Sequence, residues 1–268
     1  MFGVPAMVRE RLVEGQQSTN DGLKDVTFAI LAGGLGTRLQ PVIGDHPKVL
    51  AQVSGRPFLC YLLDQIEAAG GVGVVLCTGY RGGEVQATIG TTYGRLSLTY
   101  SHETAPLGTA GALRLAMPLF KPRVIAMNGD SYCPVNLAAV WAWHALSGAR
   151  ATLVMTEVPD TGRYGRIRFD ADRRILEFVE KGMFHGRGWI NAGIYCLERE
   201  LLGSIPAGRS VSLERETFPA WIGRGLFGYP AHGQLMDIGT PEAYAVAERF
   251  LAEGGDVLRQ NDTSPPLH

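Results

Sequence analysis

The amino-acid sequence predicts an α/β fold in which a mixed, mostly parallel sheet is flanked by helices. Short apolar runs of strand length alternate with segments of helical periodicity through the first half of the chain. The run over 26–32 leads into a glycine-rich loop, and the run over 123–127 leads into Asn128-Gly129-Asp130. Alternation of this kind implies parallel strands covered on both faces, with ligands bound beyond the carboxyl ends of the strands.

The first half of the chain predicts strands and helices in regular alternation. Pro57 stands at a first-turn position of a segment whose apolar residues recur at helical spacing. Strands are predicted over 26–32, 72–78, 96–101 and 123–127, and helices over 57–69, 83–89 and 109–117.

The second half predicts a different order of elements. A helix over 137–146 precedes a strand over 151–157, and a hairpin joins 165–169 to 175–180 through Asp170-Ala171-Asp172. A strand follows over 189–197, then helices over 213–224 and 241–253, the last with Thr240 as its N-cap and Pro241 after it. We expect one domain over 25–253, a flexible extension over 1–24 and a disordered tail over 254–268.

Composition and charge exclude several classes of protein. Hydrophobic residues make up 46% and charged residues 19% of the chain, as in ordinary folded domains. A net charge of −1 argues against a nucleic-acid partner, and no apolar run reaches the roughly 18–20 residues of a membrane helix. The four cysteines are widely spaced, so we expect buried thiols in a reducing, cytoplasmic compartment and no membrane partner.

The strongest local feature is the glycine-rich segment over 31–39. Its three glycines allow backbone N–H groups to approach an anion closely, and Arg38 adds a fixed positive charge with several donors. The segment therefore predicts a cradle for a nucleotide triphosphate. A P-loop would place Gly-Lys at the position of Gly36-Thr37. A dinucleotide site would place glycine at Leu39 and an acid after the next strand, which instead ends in Cys77-Thr78-Gly79.

Further segments, in order along the chain, resemble those of the sugar-phosphate nucleotidyltransferase family. They are Pro47-Lys48 after the glycine-rich loop, the run 103–111 that contains Pro106-Leu-Gly-Thr109, Asn128-Gly-Asp130, Tyr164-Gly165, Glu180-Lys181, Asn191-Ala-Gly193 and Asp237-Ile-Gly-Thr-Pro241. The resemblance implies a Rossmann-like fold of the nucleotide-diphospho-sugar transferase type. It implies a nucleotide-binding half over about 25–135 and a sugar-phosphate half over about 136–253. It also leads us to expect no C-terminal β-helix, and hence a monomer or small homo-oligomer.

Within that family the sequence most resembles the D-glycero-α-D-manno-heptose 1-phosphate guanylyltransferases, in the runs 128–133, 158–165 and 211–214. The resemblance implies transfer of GMP from GTP to a sugar 1-phosphate, with Mg²⁺ as cofactor and GDP-heptose and pyrophosphate as products, in polysaccharide biosynthesis. Mannose 1-phosphate guanylyltransferases, and thymidylyl- or uridylyltransferases acting on another hexose 1-phosphate, are the alternatives. A non-catalytic nucleotide-sensing subunit is a third, which the retained charged residues disfavour.

The resemblance also implies roles for individual residues. Arg38, Lys48 and Lys181 are expected to stabilise phosphate charge during catalysis. Carboxylate oxygens suit Mg²⁺, so Asp130 and Asp237 are the expected metal ligands. Glu103 would accept from the N1–H and exocyclic amine of guanine, a donor pair that uracil and thymine lack. The expected nucleotide-binding residues are Leu31, Ala32, Gly33, Gly34, Gly36, Thr37, Glu103, Pro106, Gly108, Thr109 and Asp130, and the expected sugar-phosphate residues are Asn128, Gly165, Glu180, Lys181 and Asn191.

Overall fold

The structure is a computed structural model that describes residues 23–252. The predicted tail and the predicted extension lie outside this range, apart from the last two residues of the extension. Of these two, Leu23 is buried in the core. Within the described range, no helix combines the length and apolarity needed to cross a membrane.

Ten strands of the described chain form one mixed sheet, and two pairs of two-residue strands lie outside it. The strands are β1 (Val26–Ala32), β2 (Gln52–Val53), β3 (Arg56–Pro57), β4 (Gly73–Thr78), β5 (Thr92–Tyr93), β6 (Leu96–His102), β7 (Arg123–Asn128), β8 (Ser131–Tyr132), β9 (Ala151–Val158), β10 (Arg166–Phe169), β11 (Ile175–Val179), β12 (Gly188–Glu198), β13 (Leu226–Ala231) and β14 (Met236–Asp237). The order in the large sheet is β11-β10-β12-β7-β1-β4-β6-β5, with β9 pairing with β12 and β13 pairing with β9.

Helices cover the sheet and connect its strands. They are α1 (Gln40–Ile43), α2 (Phe58–Ala68), α3 (Gly82–Ile89), α4 (Gly108–Ala116), α5 (Leu137–Ser147), α6 (Arg199–Leu202), α7 (Phe218–Trp221) and α8 (Pro241–Ala252), with 3₁₀ turns at Lys48–Leu50 and Met117–Leu119 and a π-helical turn at Leu213–Thr217. The predicted α/β fold, a mixed sheet with parallel central strands β7-β1-β4-β6 flanked by helices, is confirmed.

A hydrophobic core lies on each face of the sheet, because successive side chains of a strand point to opposite faces. In β1, Phe28 and Ile30 belong to one core, whereas Ala29 belongs to the other. Helix α2 covers the first core with Phe58, Leu59, Leu62, Leu63 and Ile66, and α4 covers the second with Ala110, Leu113 and Ala116. All four cysteines are buried and unpaired, as expected from their spacing.

The helix predicted over 213–224 is wrong in its extent. The chain forms the π-helical turn and the short α7 instead, and it leaves α7 through Gly223 and Gly225, both at positive φ. The strand β13 that follows was not predicted, because Gly228 and Pro230 interrupt its apolar pattern. Proline is tolerated there because β13 lies at the end of the sheet.

Candidate active site

The carboxyl ends of the parallel strands lie side by side. Ala32 pairs with Thr78, Thr78 pairs with His102, and Leu31 pairs with Asn128. The backbone N–H of Gly129 donates to the carbonyl of Leu31 at 2.9 Å. The glycine-rich loop, Glu103 and Asn128-Asp130 therefore meet at one edge of the sheet, as the parallel order requires.

Two adjoining cavities open at this edge. The glycine-loop cavity has a volume of about 450 Å³ and the β12 cavity has about 440 Å³. Arg38, Asn128, Asp130 and Gly239 line both cavities. The sequence-predicted residues in the glycine-loop cavity are Leu31, Ala32, Gly33, Gly34, Gly36, Thr37, Lys48, Glu103, Pro106, Gly108 and Thr109, and those in the β12 cavity are Gly165, Glu180, Lys181, Asn191 and Asp237. The structure thus brings all the predicted residues to one place, while their roles stay predictions.

The glycine-rich loop follows β1 and packs against Lys48. Gly36 has a φ of +62°, and its carbonyl accepts from the backbone N–H of Leu39 at 2.8 Å. A Cβ added to Gly36 would lie 3.1 Å from the Cβ of Lys48. A larger residue at Gly36 would therefore be strained and would press on the lysine.

Lys48 forms an ion pair with Asp130 at the boundary between the cavities. Its Nζ lies 2.6 Å from Oδ2 of Asp130, and only 11% of the lysine side chain is exposed. The other carboxylate oxygen accepts from Oγ of Ser131 at 3.1 Å. Pro47 fixes the backbone before the 3₁₀ turn that Lys48 begins, so the ammonium group enters the site from an ordered support.

Asp237 is brought beside Asp130 by the pairing of β8 with β14. Ser131 lies opposite Asp237, and the N–H of Ile238 donates to the carbonyl of Asp130 at 2.9 Å. A Cβ added to Gly239 would lie 2.9 Å from Oδ1 of Asp237, 3.6 Å from Nζ of Lys48 and 3.9 Å from Nη2 of Arg38. Carboxylates and cations from four parts of the chain therefore converge here.

The two carboxylates offer the hard oxygen ligands that a divalent metal ion such as Mg²⁺ takes in proteins. Mg²⁺ takes one or two protein carboxylates and completes its shell with water and phosphate oxygens. Residues 23–252 contain no cluster of three or more acidic, histidine or cysteine side chains that would form a protein-only cage. Tyr164 lines the same cavity as Asp237, and burial, followed by the charge of Asp237, raises the pKa of its phenol.

Glu103 packs against the start of the glycine-rich loop. Its Oε2 accepts from the N–H of Leu107 at 3.1 Å. A Cβ added to Gly33 or to Gly79 would lie 2.6 Å from its Oε1, so a larger residue at either position would displace the carboxylate. Burial raises the pKa of the Glu103 carboxyl. One oxygen is therefore held by the protein, and the group lies in an environment that disfavours its charge.

Asn191 is positioned by a bulge in β12. The register of β12 against β9 shifts between Asn191 and Tyr195, and Gly193 has a φ of +77°. The amide oxygen of Asn191 accepts from the N–H of Gly193 at 2.9 Å, and its Nδ2 donates to the Tyr195 hydroxyl at 2.8 Å. The bulge therefore directs this amide toward the β12 cavity. Glu180 and Lys181 are exposed at the rim of that cavity.

Several residues of the site were not predicted from the sequence. Glu214 and Arg215 line the β12 cavity, and Tyr195 lies beneath it. Glu214 stands in a run that resembles the guanylyltransferases, and this was the one available pointer to it. The hydroxyl of Thr109 faces Leu213 and Glu214 rather than open space, since it accepts from Leu213 N–H at 2.8 Å.

Comparison with known proteins shows the family to which the chain belongs. A family model for nucleotidyl transferases matches residues 28–254. The chain belongs to this family. It is therefore a nucleotidyltransferase, and the family resemblance inferred from the sequence motifs is confirmed.

Its relatives include guanylyltransferases of two kinds. A mannose-1-phosphate guanylyltransferase of Mycobacterium tuberculosis is 36% identical over 248 residues, which are 90% of this chain and 67% of that protein. A D-glycero-α-D-manno-heptose 1-phosphate guanylyltransferase of Aneurinibacillus thermoaerophilus is 31% identical over 224 residues, which are 83% of this chain and 96% of that protein. The chain thus spans about two thirds of the first relative and almost all of the second.

Among solved structures, HddC from Yersinia pseudotuberculosis complexed with GMP-PN has a similar fold. Its TM-score is 0.75 at 30% identity, covering 84% of this chain and 99% of HddC. A glucose-1-phosphate thymidylyltransferase structure from Bacillus anthracis has a TM-score of 0.75 at 22% identity and shows the shared fold alone.

Proposed function

We propose that the protein transfers GMP from GTP to D-glycero-α-D-manno-heptose 1-phosphate, giving GDP-heptose and pyrophosphate. The observation that carries this proposal is the junction of the two cavities, where Arg38, Lys48 and Asp130 lie together. The glycine-loop cavity would hold GTP and the β12 cavity the sugar 1-phosphate. Two anionic substrates would then meet where cations and carboxylates converge.

In the reaction, a phosphate oxygen of the sugar 1-phosphate forms a bond to the α-phosphorus of GTP. The bond from that phosphorus to the bridging oxygen of the β-phosphate breaks, and pyrophosphate leaves with the electron pair. The attacking oxygen is already anionic near neutral pH, so no protein base is required. The protein's task is to position two anions and offset their repulsion.

The cations and carboxylates divide this task. Lys48 and Arg38 would stabilise the charge on the transferring phosphate, and Lys181 would hold the sugar phosphate at the rim of the β12 cavity. Asp130 and Asp237 would hold Mg²⁺, which when bound supplies positive charge to the phosphate oxygens. Glu180 and Asn191 offer acceptors and donors to the sugar hydroxyls.

Guanine as the base rests on two supports. The carboxylate of Glu103 lines the glycine-loop cavity, where it would accept from two neighbouring donors on guanine. HddC, a structural neighbour at 30% identity, is complexed with GMP-PN. The acceptor has one serious alternative, mannose 1-phosphate, because the mannose-1-phosphate guanylyltransferase of Mycobacterium tuberculosis is 36% identical to this chain.

The test is a matrix of rates. Pyrophosphate release is measured with Mg²⁺ for GTP, ATP, UTP and dTTP, each against heptose, mannose and glucose 1-phosphates. We expect the highest kcat/KM for GTP with the heptose 1-phosphate. A preference for mannose 1-phosphate would replace the proposed acceptor, and a preference for another nucleotide would overturn the guanylyl assignment. Release from none of the pairs would overturn the proposed reaction.

A further inference from the structure

The carboxylate of Glu214 connects the two cavities through its hydrogen bonds. Its Oε2 accepts from Oγ1 of Thr109 at 3.3 Å, and its Oε1 accepts from the Tyr195 hydroxyl at 3.2 Å. Thr109 lines the glycine-loop cavity, whereas Glu214 itself lines the β12 cavity. We propose that Glu214 is a positioning residue that orients the Asn191 amide for the sugar and the start of α4 for the nucleotide. The inference rests on the proposed function.

The arm toward the sugar runs through Tyr195. Its side chain is fully buried, and its hydroxyl receives a hydrogen bond from Nδ2 of Asn191 at 2.8 Å. The single phenol proton then has two acceptors, Glu214 at 3.2 Å and the Asn128 amide oxygen at 3.5 Å. The carboxylate is both nearer and charged, so it takes the proton.

The direction of the Tyr195 phenol proton determines the orientation of the Asn191 amide. With its proton directed to Glu214, Tyr195 presents a lone pair to Nδ2 of Asn191. The amide oxygen of Asn191 already accepts from Gly193 N–H. One N–H and one lone pair of Asn191 remain for the substrate, in an orientation that suits vicinal sugar hydroxyls. Without the carboxylate, the phenol proton can rotate toward Asn191 and oppose this orientation.

The arm toward the nucleotide runs through Thr109, in the first turn of α4. Its hydroxyl accepts from Leu213 N–H at 2.8 Å and donates to Glu214. The carbonyl of Val211 accepts from Ala110 N–H at 2.9 Å and from Gly111 N–H at 3.3 Å, so the segment before Glu214 satisfies two of the free donors of the helix. Glu214 therefore adds a side-chain hydrogen bond to Thr109 at a place where the backbone of Val211 already contacts the start of α4.

The folding of this segment has anchors other than Glu214. Glu216 accepts from Ser212 N–H at 3.0 Å and pairs with Arg209 at 3.2 Å. The Ser212 hydroxyl accepts from Arg215 N–H at 3.2 Å and caps the π-helical turn. Helical turns of this kind are frequent at functional sites. The Ser212 hydroxyl also donates to Oε2 of Glu214 at 3.1 Å, so this oxygen accepts from both Ser212 and Thr109, while Oε1 accepts from Tyr195.

Three single variants separate the two arms. Tyr195→Phe should raise KM for the sugar 1-phosphate about tenfold and leave KM for GTP unchanged, because a lost hydrogen bond to a charged group has effects of this order. Thr109→Val should raise KM for GTP and leave that for the sugar 1-phosphate unchanged. Glu214→Gln should raise both. Calorimetric binding of each substrate alone gives the same split without turnover.

The double variant and a control complete the test. Adding Tyr195→Phe to Glu214→Gln should raise KM for the sugar 1-phosphate no further. The matched control is Glu177→Gln, which removes a half-exposed carboxylate that pairs with Arg168 and should change neither KM. The inference is overturned if the effects of Tyr195→Phe and Glu214→Gln on KM for the sugar 1-phosphate multiply in the double variant. It is also overturned if Glu214→Gln changes neither KM. If Glu214→Gln fails to fold, the selectivity of the other two single variants decides. Failure of the proposed function would show separately, as a wild type inactive with GTP.

Discussion

The contact of α4 with the Val211 segment can be tested with two glycines of nearly equal φ. Gly108 has a φ of +68° and Gly148 has +69°, so an alanine at either position carries left-handed strain of about 1 kcal/mol. Their surroundings differ. A Cβ on Gly108 would lie 2.6 Å from the carbonyl oxygen of Val211, whereas a Cβ on Gly148 would meet nothing within 4 Å.

The difference in stability follows from that clash. Gly148→Ala should cost only the strain. Gly108→Ala should cost about 3 kcal/mol, because backbone atoms must shift as in an overpacked core. At about 2–4 °C per kcal/mol for a domain of this size, the melting temperatures should fall by about 2–4 °C and 6–12 °C respectively. Circular dichroism melts of both variants and of the wild type measure this.

The affinity for GTP should also differ between Gly108→Ala and Gly148→Ala. Gly108 lines the glycine-loop cavity, so its alanine variant should bind GTP more weakly by calorimetry, while Gly148→Ala should bind it as the wild type does. Equal melting temperatures and equal GTP affinities for the two variants would refute the packing of Val211 against α4.

Three further predictions concern charged groups. Lys48→Met should lower kcat about a hundredfold with little change in GTP affinity, because it removes the ammonium group 2.6 Å from Asp130; single-turnover rates measure this, and an unchanged kcat would contradict it. Arg38→Ala should lower kcat about tenfold, whereas Arg95→Ala, at a side chain that is 80% exposed, should not; equal rates for the two variants would remove Arg38 from the reaction. Burial raises the pKa of Glu103 above its ordinary 4.5, so ionising this group costs free energy only in the folded state. The unfolding free energy of the wild type should therefore fall relative to that of Glu103→Gln as pH rises from 4.5 through the raised pKa, and it should stay level above that pKa. Urea unfolding at several pH values measures the difference between the two proteins. A difference that does not change with pH would contradict this.

The parallel half of the fold could be predicted from the sequence because its strands β1, β4 and β7 are buried on both faces. Continuous apolar runs such as 26–32 and 123–127 mark these strands, and the rule that ligands bind at the carboxyl ends of parallel strands places their loops together. The end strand β13 could not be predicted, since tertiary pairing with β9 outweighs the poor strand propensity of Gly228 and Pro230.

The site was less accessible to prediction where it depends on long-range contacts. The two-residue strands β8 and β14 have no periodicity of their own, and their pairing alone sets Asp237 beside Asp130. Tyr195 stands in an apolar run of β12 and looks like a core residue until its hydroxyl is traced to Asn191 and Glu214. In the sequence, Glu214 looks like an ordinary charged residue of a predicted helix, because its neighbours in the chain do not show that its side chain faces a cavity.

The most direct test of the proposed reaction follows the label of GTP labelled at its α-phosphate. With Mg²⁺ and the heptose 1-phosphate, the wild type should place the label in a GDP-sugar and release an equal amount of unlabelled pyrophosphate. Asp130→Ala should abolish this transfer while melting close to the wild type, and Asp172→Ala, in the exposed hairpin turn, should retain it. Label in free GMP or GDP, or near-normal transfer by Asp130→Ala, would contradict a site in which the acceptor attacks GTP beside that carboxylate.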